Sequence, residues 1–133
     1  MRGRRVLLLG TSLVASFLFS SQRCADAETV GGAIVRIAEL EIDPAQLDRY
    51  KLALKEEIET SIRVEPGVLT LYAVSVKDHP EQIRLFETYV DAFAYQSHLQ
   101  SPHFKTYKSR TQHMVKFLRL VDTEPILLGS KSR

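Results

Sequence analysis

Tryptophan is absent from this 133-residue chain, and cysteine occurs once, as Cys24. A single cysteine closes no intramolecular disulfide, so the fold must hold by packing alone. Glycine is sparse, six in all, and none falls in the G-x-G-x-x-G or G-x-x-x-x-G-K loops that cradle nucleotide phosphates. There is no HExxH pair, no paired-cysteine motif and no acidic loop with calcium spacing, so no motif announces a resident metal. Nor is there a G-x-S-x-G nucleophile elbow for serine hydrolysis. The one long apolar run, residues 6–19, has 14 residues, short of the roughly 20 that span a bilayer as a helix.

That run follows Arg2, Arg4 and Arg5 and precedes Ala25-Asp26-Ala27, the order of basic, apolar and small residues found in secretory signal peptides. The expectation is a signal peptide over 1–27, cleavage near Ala27 and a periplasmic or secreted product, with membrane contact only through that segment. Cleavage removes four arginines, Arg23 among them, and one aspartate, so the formal charge falls from +2 to −1. The basicity belongs to the leader, and no concentrated basic stripe remains to attract nucleic acid. Cys24 leaves as well, and with it any thiol chemistry. The remaining 106 residues make one small domain with a modest core, for which a homodimer is the expected state.

Residues 28–33 read as a flexible lead-in. The segment IVRIAELEI over 34–42 alternates in polarity and predicts the first strand. Asp43 as N-cap, Pro44 at the first helical position and Gln46 in a capping-box pattern start a helix. Leu47, Tyr50, Leu54, Ile58 and Ile62 form its buried stripe, and Pro66-Gly67 stops it. A second strand over 68–76, with Val68, Thr70, Tyr72, Val74 and Val76 opposing Leu69, Leu71, Ala73 and Ser75, and a third over 83–90 flank the turn KDHPEQ. Both faces of these strands are largely apolar. One helical layer covers one face, so the other meets a second subunit or lines a cavity. Asp91 caps a short helix over 92–99, Ser101-Pro102 restarts it, and a fourth strand covers 114–121. The order β-α-β-β-α-β, with its second helix broken at Ser101, is the ferredoxin-like antiparallel α+β fold. Residues 123–133 form a tail whose Pro125-Ile126-Leu127-Leu128 could pack on a partner.

Chemistry concentrates in residues 87–107, which hold His98, His103, Glu87, Tyr89 and Tyr95. An imidazole with a pKa of about 6.5 can take or give a proton near neutrality, and a helix N-terminus favours the neutral form of His103. The competing reading has His103 exposed and His98 packed and bonded to backbone. Glu87, in mid-strand, needs a partner if buried. It could orient a histidine, bind substrate, or pair with Arg36 or Arg84. Tyr50, Tyr72, Tyr89, Tyr95 and Tyr107 could line an aromatic-binding cavity or simply pack. His98, His103 and His113 with Glu87 could supply metal ligands, but without a recognised spacing no metal is expected.

The segment RLFETYVDAFAYQSHLQSPHFKTY, with the opening VRIAELEI, the proline-started helix and EPGVLTLYAV, resembles the antibiotic biosynthesis monooxygenase domain family over residues 34–122. It resembles especially the small quinol-monooxygenase-like members, and E-x-Y followed by H-L-x-S-x-H-F is the most specific part. The resemblance implies a dimeric α/β-barrel-type assembly of ferredoxin-like domains. It also implies a cofactor-independent monooxygenase acting with dioxygen on a quinol or a related small aromatic or polyketide-like compound. On that reading His98, His103 and Glu87 are catalytic, and Tyr72, Tyr89, Tyr95 and Phe104 bind substrate. The family also holds haem-degrading enzymes, disfavoured here because tryptophan is missing, and an isomerase of a phosphorylated sugar derivative. A non-catalytic dimeric binder of a small apolar ligand and an isomerase of a small carbonyl compound are the alternatives.

Overall fold

The computed structural model describes residues 32–131, so the expected signal peptide and most of the lead-in lie outside the described residues. Strands β1 (Ile34–Ile42), β2 (Val68–Val76), β3 (His79–Tyr89) and β4 (Val115–Thr123) form one sheet in the order β2-β3-β1-β4. All three pairings are antiparallel. Helix α1 (Leu47–Val64) joins β1 to β2, and α2 (Ala92–Gln100) with α3 (Pro102–Thr111) joins β3 to β4. This is the ferredoxin-like α+β fold, with the second helix interrupted at Ser101 as expected.

Local chemistry explains most boundaries. Asp43 accepts a hydrogen bond from the Ala45 N–H at 3.0 Å, but what it caps is a 3-10 turn, Pro44–Gln46, from which α1 continues. Gln46 makes no cap bond and instead accepts from Arg49 at 3.3 Å, so the capping box does not form. Asp91 caps α2 through the Ala94 N–H at 2.7 Å, and Ser101 caps α3 through the Phe104 N–H at 3.3 Å. Ser101 itself is extended, with φ −62° and ψ 146°, as the residue before a proline prefers.

Three expectations need correction. The third strand begins at His79, not at 83, because Asp78 turns the chain with a φ of 68° and lets the hairpin close at once. Pro80 is tolerated there because the β1 pairing ends at Gln82, leaving nothing on that side to want its missing N–H. Ile62 is 49% exposed rather than buried. The buried stripe of α1 runs through Tyr50, Leu54, Glu57 and Ser61, steps of four, three and four residues, and Ile62 is turned away from it. Lastly, β2 does not keep one parity. A register shift between Val68 and Thr70 puts Val68 and Leu71 on the same buried side, and Tyr72 therefore points the opposite way.

The core lies between the helices and one sheet face. Ala38, Leu40, Ile42, Tyr50, Leu54, Ile83, Leu85 and Met114 form its main cluster, and Val68, Leu71 and Tyr89 a second. The other face presents Tyr72, Val74 and Phe117 to solvent. Where α1 hands over to β2, α2 presses directly on the turn: a Cβ built on Gly67 would stand 2.4 Å from the Ala94 Cβ. The Val90 N–H bonds the Gly67 carbonyl at 3.0 Å and fixes the same turn to the end of β3.

Candidate active site

The chemistry sits under the helices, where the end of α1 meets the break between α2 and α3. His98, in the last turn of α2, is 3% exposed. Its Nδ1 lies 2.9 Å from Glu65 Oε1, and the Nε2 of His103 lies 2.6 Å from the same oxygen. Glu65 thus ties together the two histidines that flank the Ser101 break. Ser101 Oγ also stands 3.1 Å from His103 Nε2. On its other side His98 turns Nε2 toward Glu57 Oε1, at 3.7 Å, and that carboxylate accepts a hydrogen bond from Ser61 at 2.7 Å. Among the described residues no hydrogen bond reaches His98 Nε2. The Phe104 ring packs 4.7 Å from the imidazole, and the Tyr89 ring 5.5 Å away.

The sheet supplies the floor. Arg36 of β1 and Glu87 of β3 are direct cross-strand partners on the helix-facing side. Their charges are nonetheless met elsewhere: Arg36 pairs with Asp122 of β4 at 2.9 Å, and Glu87 accepts from the Tyr89 hydroxyl at 2.9 Å. The Arg36 guanidinium lies over the Tyr95 ring, 4.6 Å from its centre. Arg84 is not a partner of Glu87; it bonds the Ile83 carbonyl and Gln82. A cavity of about 90 Å³ opens among Arg36, Glu57, Glu87, Tyr95, His98 and Phe104. Exposed Leu118 and Leu120 of β4 flank it, which places its mouth on that edge. A larger open groove of about 610 Å³ runs between α1 and β2, past Lys51 and Lys55, and contains neither histidine.

Electrostatics divide the three carboxylates. Burial opposes charge on Glu65, yet hydrogen bonds from His98 and His103 and attraction to His98 outweigh it and hold its pKa below the ordinary range. Burial wins at Glu57, raising its pKa against the opposing Ser61 hydrogen bond and the two histidines. Burial also raises Glu87, against Tyr89, His98 and Arg36. One ionised carboxylate and two that resist ionisation therefore surround His98. The phenols are held neutral: burial pushes Tyr50 up to about 12, and Tyr89, Tyr95 and Tyr107 also upward. Tyr50 and Tyr107 share a hydrogen bond at 2.6 Å.

Of the residues singled out by sequence, His98, Glu87, Tyr95 and Phe104 meet at the cavity. His103 does not line it; it stands behind Glu65 in the groove between α1 and α3, beside Glu56, Thr60 and Arg110. Tyr89 is fully buried and stands behind the cavity wall, bonded to Glu87 and packed on Tyr95 and His98. Tyr72 is 67% exposed on the far face beside Phe86, apart from the site. His113 is exposed in the turn Gln112–Met114. Glu57, His98 and His103 each bring one donor atom within 4.8 Å of the other two, a set that could converge on a cation if His103 released Glu65.

Sequence reasoning missed Glu57 and Glu65. The signal was present: Glu57 and Ser61 continue the spacing of Tyr50 and Leu54, so a carboxylate lies on the buried stripe of α1.

The antibiotic biosynthesis monooxygenase family model matches residues 33–110. A crystal structure from Bacteroides thetaiotaomicron, provisionally named an antibiotic biosynthesis monooxygenase, is 46% identical, with a TM-score of 0.75 over 78% of this chain and 99% of that one. A protein of Lactobacillus acidophilus, provisionally named a monooxygenase, is 29% identical over 67% of this chain and 42% of its own, with a TM-score of 0.66. A Mycobacterium tuberculosis structure shares the fold at 21% identity, with a TM-score of 0.67 over 74% of this chain and 99% of its own. No protein of curated function matches. With the family model spanning more than half of the chain, and with a near-complete match at 46% identity, this protein is a member of the antibiotic biosynthesis monooxygenase family.

Proposed function

We propose that the protein is a cofactor-independent monooxygenase that converts a small quinol or phenol to a quinone, with His98 as the base. The observation that carries this reading is the unbonded Nε2 of a buried histidine facing a small cavity. His98 Nε2 takes the phenolic proton. The phenolate passes one electron to dioxygen, and the resulting phenoxyl radical and superoxide combine at a ring carbon that carries hydrogen. Protonated His98 delivers its proton to the peroxide anion so formed, giving the hydroperoxide. Loss of that carbon's hydrogen and cleavage of the O–O bond leave a carbonyl and water. One oxygen atom enters the ring, the other leaves as water, and the substrate supplies every electron.

Arg36 favours the anionic substrate, Glu87 offers a hydroxyl-binding group, and Tyr95 and Phe104 face the ring. Apolar enclosure keeps the radical pair together. A volume of about 90 Å³ is small beside the ~300–1,000 Å³ of ordinary ligand pockets, which favours a single ring over a fused polycycle. The open sheet face, with Tyr72, Val74 and Phe117 exposed, suits a second copy of the chain and a homodimer of barrel type. Export through the N-terminal segment remains part of the proposal.

Turnover of a monocyclic quinol under ¹⁸O₂ tests the chemistry. One labelled atom in the quinone and one in water is the expected result; ligand binding without oxygen consumption would identify a binding protein instead.

A further inference from the structure

We propose that Glu65 is a positioning residue that fixes the ring tautomer of His98, leaving Nε2 as the free base, and that His103 is its clamp rather than a second base. This deepens the reading of His98 as base and rests on it. Glu65 follows the last turn of α1, where its N–H closes on the Ser61 carbonyl at 2.9 Å, and Pro66-Gly67 holds it from the other side. Its Oε1 meets one nitrogen of each histidine, at 2.9 Å from His98 and 2.6 Å from His103. An ionised carboxylate only accepts hydrogen bonds, so both facing nitrogens carry hydrogen.

For neutral His98 this puts the proton on Nδ1 and leaves the Nε2 lone pair bare. Nε2 faces Glu57 at 3.7 Å, too far for a hydrogen bond, on the wall of the cavity. Without Glu65 nothing among the described residues holds the proton on Nδ1, and a proton on Nε2 would block the base. His103 donates from the side away from the cavity, so its contribution is to hold the carboxylate in place. The logic is that of a base whose second nitrogen is oriented by an acid partner.

Long-range ¹H–¹⁵N correlation on the full chain reads the tautomer directly. The wild-type protein should show a protonated Nδ1 and an unprotonated Nε2 at His98, above the pH at which the ring loses its charge. Glu65→Ala should shift the proton toward Nε2 and lower kcat at least tenfold with KM little changed. Glu65→Gln, which keeps a carbonyl acceptor and has the better prospect of folding, should retain the Nδ1 proton. An Nε2–H form in the wild type, or an unchanged tautomer in folded Glu65→Ala, overturns the proposal. These spectra need no turnover, so failure of the tautomer assignment and failure of the monooxygenase reading are read separately.

Discussion

Replacing Gly67 with alanine should loosen the whole site without touching a functional group. The added Cβ would lie 2.4 Å from the Ala94 Cβ, whereas carbon atoms in contact sit at about 3.5–4.0 Å. The turn and α2 must therefore separate by roughly 1 Å or more. Neither side gives easily, since Ala94 lies in the first turn of α2 and Gly67 is bonded to Val90. Overpacking of this kind costs about 1–3 kcal/mol, against which the reduced freedom of the unfolded chain returns about 0.4–1 kcal/mol. A net loss of about 1–2 kcal/mol is expected. With a urea m-value of about 1–3 kcal/mol/M, the unfolding midpoint should fall by roughly 1 M. Ala94→Gly should also destabilise, because glycine is unfavourable in a helix. Combined with Gly67→Ala it should relieve the clash, giving a favourable coupling of about 1 kcal/mol in a double-mutant cycle followed by circular dichroism. A neutral Gly67→Ala, or strictly additive variants, would refute the claim that this contact sets the position of α2. Because His98 lies one turn along from Ala94, its hydrogen bond to Glu65 should weaken in Gly67→Ala and recover in the double variant.

Other consequences can be measured independently. Burial raises the folded-state pKa of Glu87, so protonated Glu87 favours folding; that contribution is complete below the unfolded pKa and lost as pH rises through the folded one. Glu87→Gln should therefore raise Tm at pH 7 and change it little at pH 4; a lower Tm at pH 7 would contradict the desolvation argument. Charge on the open sheet face, as in Val74→Glu with Phe86→Glu, should convert a dimer to monomer in analytical ultracentrifugation while leaving the fold intact. A wild-type monomer at micromolar concentration would remove the dimer proposal. Mass analysis of the exported fraction should find a mature chain starting at Glu28, and an intact Met1 confined to the cytoplasm would reject export.

The fold was legible where patterning is local. The bounds of β1 and β2 follow from alternation, and Asp91 and Ser101-Pro102 mark the helix starts correctly. What escaped sequence reasoning was non-local or cut against a default. The start of β3 depended on one residue, Asp78, adopting a left-handed conformation inside a stretch rich in turn formers. The direction of Tyr72 depended on an irregularity at Leu69 that inverts parity along β2 without any glycine or proline to announce it. Glu57 was passed over because charged helix residues normally face solvent, and Glu65 because it lies just past the end of α1 in the turn before β2. Glu57 is buried and Glu65 half-buried here, and histidines 33 and 38 residues beyond Glu65 arrive to bond it. The pair of histidines was visible as a motif; the carboxylate that bonds both of them was not.

Oxygen uptake by the purified protein with a panel of monocyclic quinols, alongside His98→Ala and His103→Ala, tests the central claim most directly. Uptake above the uncatalysed rate, abolished in His98→Ala and reduced but retained in His103→Ala, is the predicted result. Uptake that is unchanged in His98→Ala, or lost only in His103→Ala, would contradict the assignment of His98 as the base.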